Sequence, residues 1–401
     1  MSTIDQAVCM RPAHGDRRRR AIVYNNNLSE LGGGERSTLA YAKALQQLGY
    51  AAEVLSTRPV PSPQVLAERF GAEFSAVPIH LVPIDAADDY LRARDVAVFV
   101  NHTFMSFLPN AAPLGIYSQM FPLQTLRLPE HAREVRALQT YQLLLCNSAF
   151  TQTHTRERWP DATCRLEVLR PPIGCDAVER ARRAAADPPR KVKQFVHVGR
   201  FNPILHNKNQ VLIIEHFLQA RAQYPILHDW RLLLIGGLGP SPAARQYYAQ
   251  CEALTTKAAG VVTLRPNLAE AELRRELDAS FAYVHATGAF LPSPQAPEAC
   301  EHFGLSIIEA MAHGCLALAY GRGGVWEIAA DGPGFHGFGT AAALIEGYAQ
   351  IASLYGSREA VQLARANAAQ ASVQGFDQFR RRLQALLERT PGRAVSPQFA
   401  R

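Results

Sequence analysis

No apolar run in this 401-residue chain approaches the roughly 20 residues that a membrane-spanning helix needs. Met1 to Arg20 lacks the apolar core of a secretory signal peptide, so a cytoplasmic location is expected. The seven cysteines are odd in number and contain no Cys-x-x-Cys pair. That argues against a disulfide framework or a zinc site and for reduced thiols. Charged residues make up only 19% of the chain and hydrophobic residues 48%, which excludes global disorder and permits substantial cores. No repeat of solenoid period is present. The glycine loop Gly32-Gly33-Gly34-Glu35 after the first strand is not Gly-x-Gly-x-x-Gly, so nicotinamide binding is not indicated. No Asp-x-Asp metal motif is evident. The formal charge is +7, yet no nucleic-acid motif accompanies it, so nucleic acid is not an expected partner. The basic runs Arg17 to Arg20 and Arg380 to Arg382 read first as a solvated tail and a solvated helix face.

What is present is an alternation of short apolar strands and amphipathic helices, twice over. Ala21 to Tyr24 reads as a strand, Gly32 to Arg36 as a glycine loop, Ser37 to Leu48 as a helix and Ala51 to Leu55 as a second strand. That is a βαβ unit of a parallel sheet. Val96 to Val100, Leu114 to Tyr117 and Leu143 to Cys146 read as further buried strands, and Glu130 to Leu144 mixes helical and strand signals. The second series has strands at Gln194 to Val198, Arg231 to Ile235, Val261 to Leu264, Ala282 to His285 and Leu316 to Tyr320. Its helices are Asn209 to Arg221, Ala243 to Ala258 and Glu270 to Leu277, and the chain is mainly helical from Ala341 to about Arg389.

The expected organisation is a basic, disordered stretch over 1–20, an N-terminal domain over 21–175 and a Pro-, Ala- and Arg-rich linker over 176–193. A C-terminal domain over 194–372, a last helix over 373–390 and a disordered tail over 391–401 complete it. The expected fold class is α/β, two doubly wound sheets facing across a cleft. Ligands in such sheets bind beyond the carboxyl ends of the strands.

The most informative stretch runs Glu301-His302-Phe303-Gly304-Leu305-Ser306-Ile307-Ile308-Glu309-Ala310-Met311-Ala312-His313-Gly314. Phe303-Gly304 reads as a turn, Leu305 to Ala312 as a buried helix and Gly314 as its stop. Glu301 then precedes the helix and Glu309 lies a turn or more inside it. The helix start offers free N–H groups and a positive dipole end, which suits phosphate. Two acids beside that phosphate could grip two sets of hydroxyls, as a site for a nucleotide-linked sugar requires.

This stretch resembles the acid–seven residues–acid signature of retaining glycosyltransferases of the GT-B fold, specifically family 4. The resemblance implies that Glu309 binds the nucleotide ribose and Glu301 the donor sugar. Phe303, Gly304 and Leu305 would supply backbone contacts. Gly199-Arg200, followed by Lys208 in Leu205-His206-Asn207-Lys208-Asn209, is similar to the family element whose two cations contact the donor diphosphate. Those cations imply a metal-independent reaction with no cofactor. Gly32-Gly33-Gly34-Glu35-Arg36 is similar to a family glycine loop, which places Gly33 and Gly34 on the donor-phosphate side. Arg265 to Leu268 falls where the family makes backbone contacts to the nucleobase, and His285 ends the strand before the acids. The last helix would cross back onto the N-terminal domain.

One departure stands out. Family members often carry a histidine where this chain has Tyr117-Ser118-Gln119-Met120-Phe121-Pro122. His102, in Asn101-His102-Thr103, is the expected substitute, to position an acceptor or assist proton transfer. The departing phosphate could also take the acceptor proton, so a protein base need not be required. Acceptor contacts are expected from Phe104 to Asn110 and Phe121 to Glu130.

The reading is a retaining hexosyltransferase acting on a glycan or lipid-linked acceptor. Its motif wording is most similar to mannosyltransferases that use GDP-mannose, with UDP-glucose or UDP-N-acetylglucosamine as the alternative donors. A lipid-linked acceptor would bring peripheral contact with the inner face of a membrane. Two other readings stay open: a non-catalytic sugar-nucleotide-binding scaffold, and an epimerase that converts donor without an acceptor.

Overall fold

The computed structural model describes residues 19–392, apart from 31, 75, 84–85, 93–94, 104–107, 121–127, 205, 257, 259, 292–296 and 330–331. The basic residues Arg17 and Arg18, most of both expected acceptor loops and the end of the tail lie outside the described residues.

The first seven strands form one sheet: β1 (Arg20–Tyr24), β2 (Ala51–Ser56), β3 (Ile79–Leu81), β4 (Val96–Asn101), β5 (Leu114–Gln119), β6 (Leu143–Cys146) and β7 (Arg165–Val168). Their order is β3-β2-β1-β4-β5-β6-β7, all parallel. The second sheet holds β8 (Val192–Val198), β9 (Arg231–Gly236), β10 (Val262–Pro266), β11 (Ser280–His285), β12 (Leu316–Tyr320) and β13 (Phe335–Phe338). Its order is β10-β9-β8-β11-β12-β13, again all parallel. Both are doubly wound, so each has a switch point where the order reverses: between β1 and β4, and between β8 and β11. The chain leaving the carboxyl end of a strand at such a point is free to form a site.

Continuous apolar strands explain the burial. Ile22, Val23, Val100 and Ile116 in the first sheet, and Phe195, Leu232, Val284 and Ala319 in the second, are fully covered by helices. β3, β7 and β13 were not expected from the sequence. Each has three or four residues and lies next to or at a sheet edge, where burial is partial and the apolar signal weak. Glu130 to Leu144 resolves into a helix, Leu128–Leu138, followed by β6.

Two local expectations need correction. The stretch 176–193, expected as a linker, is largely helical. Cys175–Ala186 is a helix that buries Val178, Ala181 and Ala184, and its Val178 and Ala181 pack with the core around Ile307 and Met311. Its exposed face is Arg-rich, which masked its amphipathic period. The glycine loop is also partly helical. The helix starts at Gly33, with Glu35 Oε2 accepting from the Gly32 N–H at 2.6 Å.

The last helix, Phe376–Glu388, packs on the N-terminal domain. Phe379, Leu383 and Leu386 join the core around Leu39 and Val98, and the Phe379 ring meets Tyr41 edge-on at 5.1 Å.

Candidate active site

Four strand ends converge on the cleft. The chain after β1 carries Gly33 and Gly34, the chain after β4 carries His102, the chain after β8 carries Arg200 and Lys208, and β11 ends in His285. The helix bearing Glu309 spans Leu305–Ala312, with Gly304 as its N-cap at φ +97°. Gly314 follows at φ +73°. Both angles lie in the left-handed region that a Cβ disfavours.

Glu301 sits at the centre, buried. Lys208 Nζ donates to its Oε2 at 2.6 Å, and His285 Nε2 lies 3.0 Å from the same oxygen. Burial opposes ionisation of Glu301, but the Lys208 ammonium and the hydrogen bond from His285 outweigh it and hold the carboxyl well below the ordinary range. Lys208 Nζ also lies 3.3 Å from His206 Nδ1. An ammonium can only donate, so Nδ1 accepts and the His206 proton sits on Nε2, which donates to the Cys300 carbonyl. His206 is therefore a neutral imidazole; burial, then Lys208, pushes its pKa down to about 4. Burial also depresses His285.

The loop that presents Lys208 is held by its own polar side chains. Asn207 Oδ1 accepts from the Asn209 N–H at 2.9 Å, and Asn209 Nδ2 donates to the Ala286 carbonyl at 2.8 Å. His206 and Asn209 adopt φ of +63° and +56°, a cost that such contacts offset. Gln210 Nε2 bonds the carbonyls of Gly199 and Arg200, which fixes the backbone from which the exposed Arg200 extends. Gly236 makes room for that backbone, because a Cβ there would fall 1.8 Å from the Gly199 oxygen.

Across the cleft the two helix starts touch. A Cβ on Gly33 would lie 2.6 Å from Leu305 Cδ1, so glycine permits the approach. Two N-terminal ends, each with free N–H groups and a positive dipole, thus face one another. Gly34 is held from below: its carbonyl oxygen lies 3.1 Å from His102 Nε2. A carbonyl only accepts, so Nε2 carries the proton. Nδ1 then accepts from the Ser118 hydroxyl at 2.7 Å, and Tyr41 donates to Ser118 at 3.1 Å. Burial pushes the His102 pKa down to about 4, in keeping with a neutral ring.

Several bridging residues were not assigned roles from the sequence. Arg36 pairs with Glu309 across the cleft, and Arg69 with Glu270 at 2.6 Å. Glu327 accepts from the Phe150 N–H at 2.8 Å and lies 3.3 Å from Arg170. The Phe150, His302 and His206 rings stack in a row, with centroids 6.4 and 4.5 Å apart. Arg36 stood in plain view beside the glycines, but nothing local shows where its side chain reaches. Phe303, by contrast, is a buried core residue beside Ile307 and Val325. Leu305 is half-buried and faces Gly33.

Residues 178–367 match the family model for glycosyl transferases group 1. That segment holds Arg200, Lys208, His285, Glu301 and Glu309. No curated protein matches the chain by sequence. Solved structures match nearly its whole length. HepE (Alr3699) of Anabaena, in complex with UDP, superposes with a TM-score of 0.65 at 16% identity, covering 92% of this chain and 99% of that one. A glycosyltransferase of Rickettsia africae gives 0.69 at 15% identity, covering 92% and 98%. Sucrose-phosphate synthase of Thermosynechococcus elongatus gives 0.61 at 16%, also covering 92% and 98%. The fold is therefore that of the GT-B glycosyltransferases. Among the described residues, no helix is long and apolar enough to cross a membrane.

Proposed function

We propose that the protein is a retaining glycosyltransferase, moving a sugar from a nucleoside diphosphate donor to an acceptor hydroxyl. The observation that carries this reading is Glu301, held ionised by Lys208 at 2.6 Å beside the helix start that Gly304 caps. A carboxylate in that place accepts hydroxyls of the donor sugar. Glu309, further along the same helix, takes the ribose. Gly33, Gly34, Phe303, Gly304 and Leu305 offer backbone to the donor, and His285 lines the sugar side. Arg200 and Lys208 offset the charge that builds on the departing diphosphate, so no metal is required.

With both ring nitrogens engaged, His102 acts by holding Gly34 in place. The departing phosphate then takes the acceptor proton. The acceptor is a glycan or lipid-linked glycan met by residues 104–110 and 121–130. A lipid-linked acceptor would place the enzyme at the inner face of a membrane. The motif wording favours GDP-mannose as donor. The solved structures with UDP and UDP-glucose favour a UDP-sugar instead, and it is the first to test.

A thermal-shift screen against UDP, GDP, ADP and dTDP tests the reading, since a ligand of the folded state raises the melting temperature. Selective stabilisation by UDP or GDP supports it and chooses the base. No shift with any of them at millimolar concentration would overturn it.

A further inference from the structure

The interdomain pair of Arg36 and Glu309 is not needed to hold the fold together, since each domain has its own core. Arg36 lies in the first turn of the helix Gly33–Gln47, on the domain opposite Glu309. Its guanidinium is pre-set by its own domain, lying over the Phe70 ring at 5.8 Å from the centroid. It contacts one Glu309 oxygen, Oε1. The Glu309 side chain keeps 27% exposure, against 13% for Arg36. One carboxylate oxygen is thus fixed from across the cleft, while no hydrogen bond or ion pair among the described residues engages the other, Oε2, of this partly exposed side chain.

We propose that Arg36 is a positioning residue for the donor ribose: it fixes Glu309 through Oε1 so that Oε2 is aimed at the ribose hydroxyls. This inference rests on Glu309 being the ribose acid of the proposed donor site. Its consequence is that the ribose is read by both domains together. Glu309 is held in register only when Gly33 and Leu305 are in contact, because Arg36 lies three residues from Gly33 and Glu309 four from Leu305. Ribose recognition and cleft closure are then one event, and binding the nucleotide favours the closed arrangement. The neighbouring pair of Arg69 and Glu270 supports the same closure.

The test is calorimetric titration with the ribonucleoside diphosphate that the thermal screen selects, and with its 2′,3′-dideoxy analogue. Wild type, Arg36→Ala and Arg36→Lys are compared, with circular dichroism to check that each is folded. Arg36→Ala is expected to weaken the ribonucleotide about tenfold, or about 1.4 kcal/mol. It should leave the dideoxy analogue unchanged, because that ligand has no hydroxyls for Glu309. Arg36→Lys should recover part of the loss.

Equal weakening of both ligands would overturn the proposal, since Arg36 would then act on the diphosphate or on the fold at large. Unchanged or tighter ribonucleotide binding would also overturn it, the tighter case showing that Arg36 competes with the ribose. Should Arg36→Ala not fold, the same comparison on Arg36→Lys decides between these outcomes. Failure of the wild type to bind any ribonucleoside diphosphate would remove the donor site itself, a result distinct from either.

Discussion

Lys208 Nζ lies 2.6 Å from Glu301 Oε2, and the two side chains reach each other from different strand ends of one sheet. The pair is mostly buried, with 16% and 11% side-chain exposure. Removing the lysine would leave a buried carboxylate without its main partner, which is costly. Lys208→Ala should lower turnover about 100-fold or more, as loss of one charge-stabilising donor does elsewhere. The acid limb of the pH–rate profile should also move up, because Glu301 would no longer be held below its ordinary range. A profile unchanged in height and position would detach Lys208 from the reaction.

Arg200 is exposed, so its removal should spare the fold. Arg200→Ala is expected to cost turnover about tenfold or more with little change in melting temperature. Chelator should leave turnover intact. Complete loss that added metal restores would contradict the role given to the two cations.

Gly236→Ala tests how that arginine is placed. The new Cβ would meet the Gly199 carbonyl oxygen, which is backbone and cannot turn aside. Overpacking of this kind costs about 1–3 kcal/mol, readable by urea denaturation. Turnover should fall with it, since the clash displaces Gly199 and Arg200. Wild-type turnover would show that the loop tolerates the shift.

Acid should destabilise the protein before its carboxylates titrate. Burial holds His102 and His206 at about 4 and His197 at about 3, below the ordinary value near 6.5. Between about 6.5 and 4 the unfolded chain therefore binds more protons than the folded one. The contribution of these rings is complete above about 6.5 and is lost as pH falls toward about 4. Glu301, depressed below its ordinary 4.5, adds a loss at still lower pH. The melting temperature should fall between pH 7 and pH 5, and His197→Gln should flatten that fall. A flat wild-type curve would mean that these rings titrate normally.

The helix Phe376–Glu388 should tie the chain end to the N-terminal domain. Leu383 is fully buried there, so Leu383→Ala should cost about 2–5 kcal/mol in urea denaturation.

Much of this fold was legible because its signals are local. Leu305 to Ala312 was read to its ends from an apolar run between two glycines, and those glycines do adopt left-handed backbone. Central strands such as β6 and β12 were legible from continuous apolar runs. Of the four edge strands only β10 was; β3, β7 and β13 were not, because they are short and only partly buried. The site divides along the same line. Glu301 and Lys208 stand in recognisable short motifs, but their 2.6 Å contact joins residues 93 apart. Arg36 is further still, 273 residues from Glu309, and their contact emerges only when the two domains are set together.

The most direct test of the central claim is release of nucleoside diphosphate and free sugar, with water as the acceptor, from the sugar donor whose nucleotide binds, comparing wild type with Glu301→Gln. The account predicts steady release by the wild type and a rate about 100-fold lower in the variant, with binding of the bare nucleoside diphosphate retained. Donor binding without release by the wild type, or equal release by both proteins, would contradict it.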